Sequence, residues 1–260
     1  MSEIKQSVVF WCFQKILGVE TLIQEAAAMG LHSVELTPPK YWPLLKRHGL
    51  TCAIVSSHGF LRGWNHQENH PECLEKVTQA IENAAAAGFP NVITLSGMKN
   101  SVSDEQGMAN TIEGLRKILP LAEKKGVNLC LEPLNTRVDE EMKGHPGYQC
   151  DSLEWAVEVC QKIGSPRLKI LYDIYHQQIM QGDLVRRIQQ YHEYIGHYHT
   201  AGNPGRGPLD DPLQEIHYPS VMRAILQTGY DGYVGHEFFP PEDDAIGSLR
   251  RAVEMCGRFA

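Results

Sequence analysis

Four side chains able to bind a metal or move a proton stand at the ends of four successive strand-like runs. They are Glu132 in VNLCLEPLN, Asp173 in LKILYDIYH, His199 in GHYHTAG and Glu237 in YVGHEFFP. Three carboxylates and an imidazole make a mixed oxygen and nitrogen set suited to Mn²⁺, Mg²⁺, Co²⁺ or Zn²⁺, with no thiolate to select a structural zinc. One divalent metal ion is therefore the expected cofactor. Pro133 follows Glu132 at once, and Phe238-Phe239-Pro240 follow Glu237, so each strand stops soon after its acid and leaves the carboxylate at the strand end. A buried glutamate is expensive unless it is neutralised, paired or bound to a cation. The competing use of these acids, in structural ion pairs, has Lys169 and some histidines as its partners.

Other groups gather around this set. His176 lies three residues beyond Asp173, just past the strand end, where an imidazole can polarise a substrate carbonyl or hydroxyl. His197 and His199 share a strand face; His199, nearer the C-terminal end, is the expected ligand and His197 a supporting or core residue. In AGNPGRGPLDDP, Gly202, Gly205 and Gly207 surround Arg206, a loop suited to a substrate carboxylate, hydroxyl or phosphate; a solvated turn with a surface arginine is the alternative. His58 closes the third strand and is expected to line the substrate pocket. With His66 and His70 of GWNHQENH it could instead build a second metal centre, although NHQENH is not H-E-x-x-H. Trp11, Trp42 and Trp64 could wall an apolar pocket, with core packing as the default for each.

The elements that must position these residues alternate regularly. Strand-like runs fall at 7–11, 33–36, 51–57, 91–97, 127–135, 168–173, 195–200 and 233–239. Helix-period stretches occupy 19–30, 70–88, 104–126, 151–164, 183–195, 218–229 and 242–259, with a short helix near Pro43. Gly30, Gly49, Gly88, Gly126, Gly164 and Gly229 each follow a helical stretch and precede a strand, the place of a left-handed residue that ends a helix. Eight such β-then-α units demand parallel strands with crossover helices. The expected fold is a single-domain α/β (β/α)₈ TIM barrel over residues 1–260, with its catalytic groups at the C-terminal strand ends. A doubly wound sheet would want a glycine-rich turn after the first strand, and FWCFQKILG supplies none.

Composition agrees. A chain of 260 residues with 42% hydrophobic content can bury one full barrel core, for which about 250 residues is typical. A formal net charge of −7 and a pI of about 5.9 offer nothing to nucleic acid or an anionic membrane. A small-molecule substrate is favoured, and no nucleic acid or membrane partner is expected. The N-terminal MSEIKQSVVFWCF has one lysine and an apolar run too short for a secretory signal, so cytoplasmic location is expected. Seven cysteines, in no C-x-x-C pair, read as reduced thiols. Cys130 is expected to be a small buried apolar residue rather than a ligand.

LEPLN, YDIYHQQIMQGDL, HYHTAGNPGR with IHYP behind it, GYDGYVGHEFFP and GLHSVEL together carry a resemblance through essentially the whole chain. The chain resembles the xylose-isomerase-like TIM-barrel superfamily, and within it the hydroxypyruvate isomerase (2-oxo-tetronate isomerase) family and its ketose 3-epimerase relatives. The resemblance implies that Glu132, Asp173, His199 and Glu237 are metal ligands, that Glu132 and Glu237 double as the acid/base pair, and that His176 and Arg206 contact substrate. It implies an aldose-ketose type isomerisation of a small hydroxy-keto acid or sugar such as hydroxypyruvate, through a metal-bound cis-enediolate. One glutamate takes the proton and the other returns it, to the neighbouring carbon for isomerisation or to the opposite face for epimerisation. A homo-oligomer is also expected. Hydroxypyruvate isomerases carry glutamine where this chain has His199, whereas the epimerases carry histidine. Abasic-site endonucleases of the superfamily share some ligand positions, but the Asp-Arg-His run expected of them is replaced here by GRGPLDDP, and the acidic balance opposes a phosphate backbone. A dehydratase on the same barrel is a further alternative.

Overall fold

In the computed structural model, which describes residues 4–257, runs of Val, Ile, Leu and Tyr form eight strands. They are β1 (Lys5–Val9), β2 (Ser33–Glu35), β3 (Ile54–Val55), β4 (Asn91–Thr94), β5 (Asn128–Leu131), β6 (Leu168–Asp173), β7 (Ile195–Thr200) and β8 (Tyr233–His236). They form one parallel sheet in the order β2-β1-β8-β7-β6-β5-β4-β3, the strand arrangement of the expected TIM barrel. Next to β2, a single bridge pairs Ser33 with Thr51, carried by hydrogen bonds from Val34 N to Thr51 O at 3.2 Å and from Thr51 N to His32 O at 3.0 Å.

The helices are α1 (Phe10–Leu17), α2 (Val19–Ala28), α3 (Trp42–Arg47), α4 (His70–Ala87), α5 (Asp104–Lys125), α6 (Leu153–Ile163), α7 (Ile174–Met180), α8 (Leu184–Tyr191), α9 (Tyr218–Gln227) and α10 (Ala245–Gly257). Ser103 and Ser152 start α5 and α6, each hydroxyl accepting a backbone N–H three residues on. Helices α4, α5 and α6 end on Gly88, Gly126 and Gly164 with φ of 77°, 71° and 73°, a left-handed conformation that strains any residue with a Cβ.

Internal contacts group the chain into two compact units. One comprises the described residues up to Ala53, Gly182–Glu193 and those from Tyr198 onward, and so contains β1, β2, β8 and the end of β7. Its core includes Val8, Leu22, Ile225 and an edge-to-face pair of Phe13 with Phe238 at 5.2 Å. The other comprises Ile54–Gln181 and Tyr194–His197, with β3 to β6 and α4 to α7, around Ile54, Leu115, Leu129 and the buried Trp64.

Two local departures from the expected elements bear on the site. The strand expected at 7–11 stops at Val9: Phe10 and Phe13, three residues apart, bury one side of α1, and this helical spacing outweighs the β-propensity of the aromatics. Trp11 is thereby placed on a helix rather than a strand. Asp173 is both the last residue of β6 and the cap of α7, its Oδ1 accepting the Tyr175 N–H at 2.9 Å. His176 consequently lies in the first turn of α7. All seven cysteines are buried and outside any disulfide, and burial pushes the Cys130 thiol far up, as befits a neutral core residue. Among the described residues no helix is long and apolar enough to cross a membrane.

Candidate active site

Glu237 emerges just past β8 and is buried. Trp11 Nε1 donates to its Oε1 at 3.2 Å, and Arg206 Nη2 donates to its Oε2 at 2.6 Å. The guanidinium also lies over the Trp11 ring, 5.5 Å from the centroid. Arg206 is 3% exposed, so the reading of this loop as a solvated turn with a surface arginine is overturned. Its backbone takes φ 54°, and its carbonyl accepts the Phe239 N–H at 2.8 Å, which ties the loop after β7 to the segment after β8.

His199 stands between two carboxylates. Its Nδ1 is 2.9 Å from Glu237 Oε2 and its Nε2 is 2.7 Å from Glu35 Oε1. An ionised carboxylate only accepts, so His199 Nε2 carries the proton it shares with Glu35. Burial opposes the imidazolium, but Glu237 and Glu35 outweigh it and hold the pKa well above that of an ordinary histidine. The neighbouring His236 faces the other way: it meets the Thr200 hydroxyl and Gln6 Oε1, both at 2.9 Å, and Gln6 in turn donates to Val253 O of α10. Burial pushes its pKa down to about 4, so it is a neutral structural group.

In the second unit, Glu132 directly follows β5. Its N–H donates to Thr94 O and its carbonyl accepts from the Tyr148 hydroxyl, both at 3.2 Å, so the backbone under the acid is pinned on two sides. His176 Nδ1 accepts the Asn135 backbone N–H at 3.2 Å and meets the Asn135 amide at 2.7 Å. Nδ1 being an acceptor, the proton sits on Nε2, which faces Asp173 Oδ2 at 3.5 Å. The LEPLN segment thus supplies both the acid and, through Asn135, the group that fixes the tautomer of His176.

His58 is held between the end of β4 and its own loop. Leu95 N–H points at its Nε2, which also meets the Thr94 hydroxyl at 3.1 Å, leaving the Nδ1 proton for the carbonyls of Gly59 and Arg62 at 3.2 Å. Burial lowers its pKa. His66 and His70 meet the carbonyls of Met98 and Trp64, and among the described residues none of these three histidines falls in a group able to hold a metal. Trp64 donates to the Thr94 hydroxyl and Trp42 to Thr37 O, packing roles, whereas Trp11 reaches Glu237.

Glu132, Asp173, His199 and Glu237 are all buried, and each offers a ligand atom within 4.8 Å of those of the others. Three carboxylates at such spacing repel unless protonated or neutralised by a cation, and carboxylate with imidazole is a donor set that divalent ions accept. This acidic and imidazole cluster could hold a metal. Glu35, His197 and His199 form a second buried group with ligand atoms within 4.8 Å of one another. Glu35 was missed in the sequence, although it closes the second strand in SVEL as Glu132 and Asp173 close theirs.

A family model described as xylose isomerase-like TIM barrel matches residues 23–255. Among curated proteins, the chain is 34% identical over 177 residues to hydroxypyruvate isomerase of Escherichia coli (strain K12), covering 68% of this chain and 66% of that one. It is 28% identical over 254 residues to a putative hydroxypyruvate isomerase of Homo sapiens, covering 91% and 90% respectively. A solved structure, that of an AP endonuclease, family 2, from Brucella melitensis, superposes with a TM-score of 0.83 at 24% identity over 96% of this chain and 97% of that one, a likeness of fold alone.

Proposed function

Because the chain belongs to the xylose isomerase-like TIM-barrel family, we propose that it isomerises a small hydroxy-keto acid or sugar such as hydroxypyruvate, with a divalent metal and with proton transfer by Glu132 and Glu237. The observation that carries this reading is the buried set Glu132, Asp173, His199 and Glu237, with ligand atoms within 4.8 Å of one another and two glutamates among them. These four residues would hold the ion. When bound, it supplies positive charge that polarises the substrate carbonyl and stabilises an enediolate.

The residues around the set divide the remaining work. Trp11 and Arg206 orient the Glu237 carboxylate, which is to accept the proton, by donating to its two oxygens. Glu132, on its pinned backbone, would start protonated and deliver its own proton to the neighbouring carbon while Glu237 keeps the one it took, and exchange with solvent resets the pair. His176 carries its one ring proton on Nε2, 3.5 Å from Asp173 Oδ2, and offers it to a substrate oxygen. Arg206 brings a buried guanidinium to the site and suits a substrate carboxylate.

Incubating candidate hydroxy-ketones with the enzyme and Mn²⁺ in D₂O is expected to place deuterium on the carbon next to the carbonyl, and chelation is expected to stop it. Absence of exchange, together with nicking of abasic DNA, would move the function to the nuclease class. Arg206→Ala is expected to raise KM through the lost substrate contact and also to lower kcat, since Glu237 loses a donor at 2.6 Å. Steady-state kinetics with KM raised and kcat unchanged would show that the contact with Glu237 does not serve the reaction. A 3-epimerase is the second reading, favoured by the imidazole at His199; product analysis of a ketose substrate separates the two by whether the carbonyl has moved.

A further inference from the structure

Glu35 has no part in the ligand set, yet it is fully buried and its Oε1 lies 2.7 Å from His199 Nε2. The opposite ring nitrogen, Nδ1, faces Glu237, another of the four proposed ligands. An imidazole offers a metal one nitrogen at a time, and the hydrogen bond made by the other nitrogen sets both the tautomer and the plane of the ring. We infer that Glu35 is the positioning residue for His199, accepting its Nε2 proton so that Nδ1 is the nitrogen presented to the metal; this rests on the metal-dependent reading above.

The place for this carboxylate is built into the fold. A Cβ on Gly235, in the middle of β8, would lie 2.0 Å from Glu35 Oε1 and 2.7 Å from its Cδ, so the missing side chain leaves the space the carboxylate fills. Val9 pairs with Glu35 and Ser7 with Gly235 in the β1 ladders, so the glycine and the acid occupy fixed registers on the two strands flanking β1. Seating a carboxylate beside a glycine within a strand gives up both packing and strand propensity. A partner imidazole that must hold one orientation accounts for that arrangement.

The test is metal binding by the whole protein stripped of metal, followed by Co²⁺ titration with visible absorption and by equilibrium dialysis. Wild type is expected to bind one Co²⁺ per chain. Glu35→Ala is expected to weaken binding by about 10–100-fold, the usual effect of losing such an outer partner, and to alter the Co²⁺ spectrum. Glu35→Gln, whose amide oxygen can accept the same proton, is expected to restore most of the affinity and the native spectrum. In a His199→Gln background, Glu35→Ala is expected to cost little more, because the group it positions is gone. Circular dichroism of the metal-free variants checks that each is folded. Wild-type affinity and spectrum in Glu35→Ala would overturn the inference while leaving the metal reading intact. A Glu35→Gln defect as large as that of Glu35→Ala, or two Co²⁺ per wild-type chain, would also overturn it, since Glu35 would then act by charge or as a ligand. No Co²⁺ binding by wild type would remove the metal reading and this inference together.

Discussion

Glu132→Gln and Glu237→Gln are each expected to lower kcat by about 10²–10⁴-fold, the range for loss of a positioned acid/base, with weakened electrostatic hold on the metal adding to it. Glutamine keeps the length and one ligating oxygen of glutamate but cannot take up a proton at neutral pH. Glu237 is the carboxylate to which Arg206 donates at 2.6 Å, so its replacement leaves a buried guanidinium with less counter-charge, at a cost on the order of 3 kcal/mol. Thermal unfolding of Glu237→Gln against wild type would reveal that cost. A Glu132→Gln enzyme with bound metal and near-normal kcat would refute the proton transfer proposed for that residue.

The fold was legible where one signal was long and uncontested. LKILYD and IGHYHT, read as strands at 168–173 and 195–200, are β6 and β7 with the same bounds, and the glycines expected to end helices at 88, 126 and 164 do so. Short or mixed signals misled. TCAIVSS, read as a strand over 51–57, pairs as β3 only at Ile54–Val55. IYHQQIM was not recognised as a helix because its seven residues follow a strand with no break. Its cap, Asp173, was already accounted for as a strand-end ligand.

The acids at the strand ends could be seen because a carboxylate after an apolar run is conspicuous in any sequence. What surrounds them could not. Trp11 is 226 residues from Glu237 and Glu35 is 164 from His199, and no local pattern couples positions so far apart. The inward turn of Arg206 likewise depends on Glu237, 31 residues later. Glu35 did carry a usable signal, the acid closing SVEL, and reading it as the strand-end partner of the other acids would have brought it into the set.

Asp173→Asn is expected to strip the metal, and with it the activity, from a protein that still folds. Asparagine and aspartate are about equally good helix N-caps, so the amide oxygen can still accept the Tyr175 N–H and start α7. What is lost is a full negative charge in a set where charge sustains divalent affinity. Asp173→Ala separates the two roles, because it removes ligand and cap together and should cost roughly 1 kcal/mol more in unfolding free energy than the asparagine variant. The comparison belongs in chelator, where metal binding no longer contributes to stability. Metal content by mass spectrometry after dialysis decides the main point: full occupancy in Asp173→Asn would remove Asp173 from the ligand set. Low occupancy with an unfolding midpoint near that of the metal-free wild type would mark it as a ligand whose helix-capping role the amide can take over.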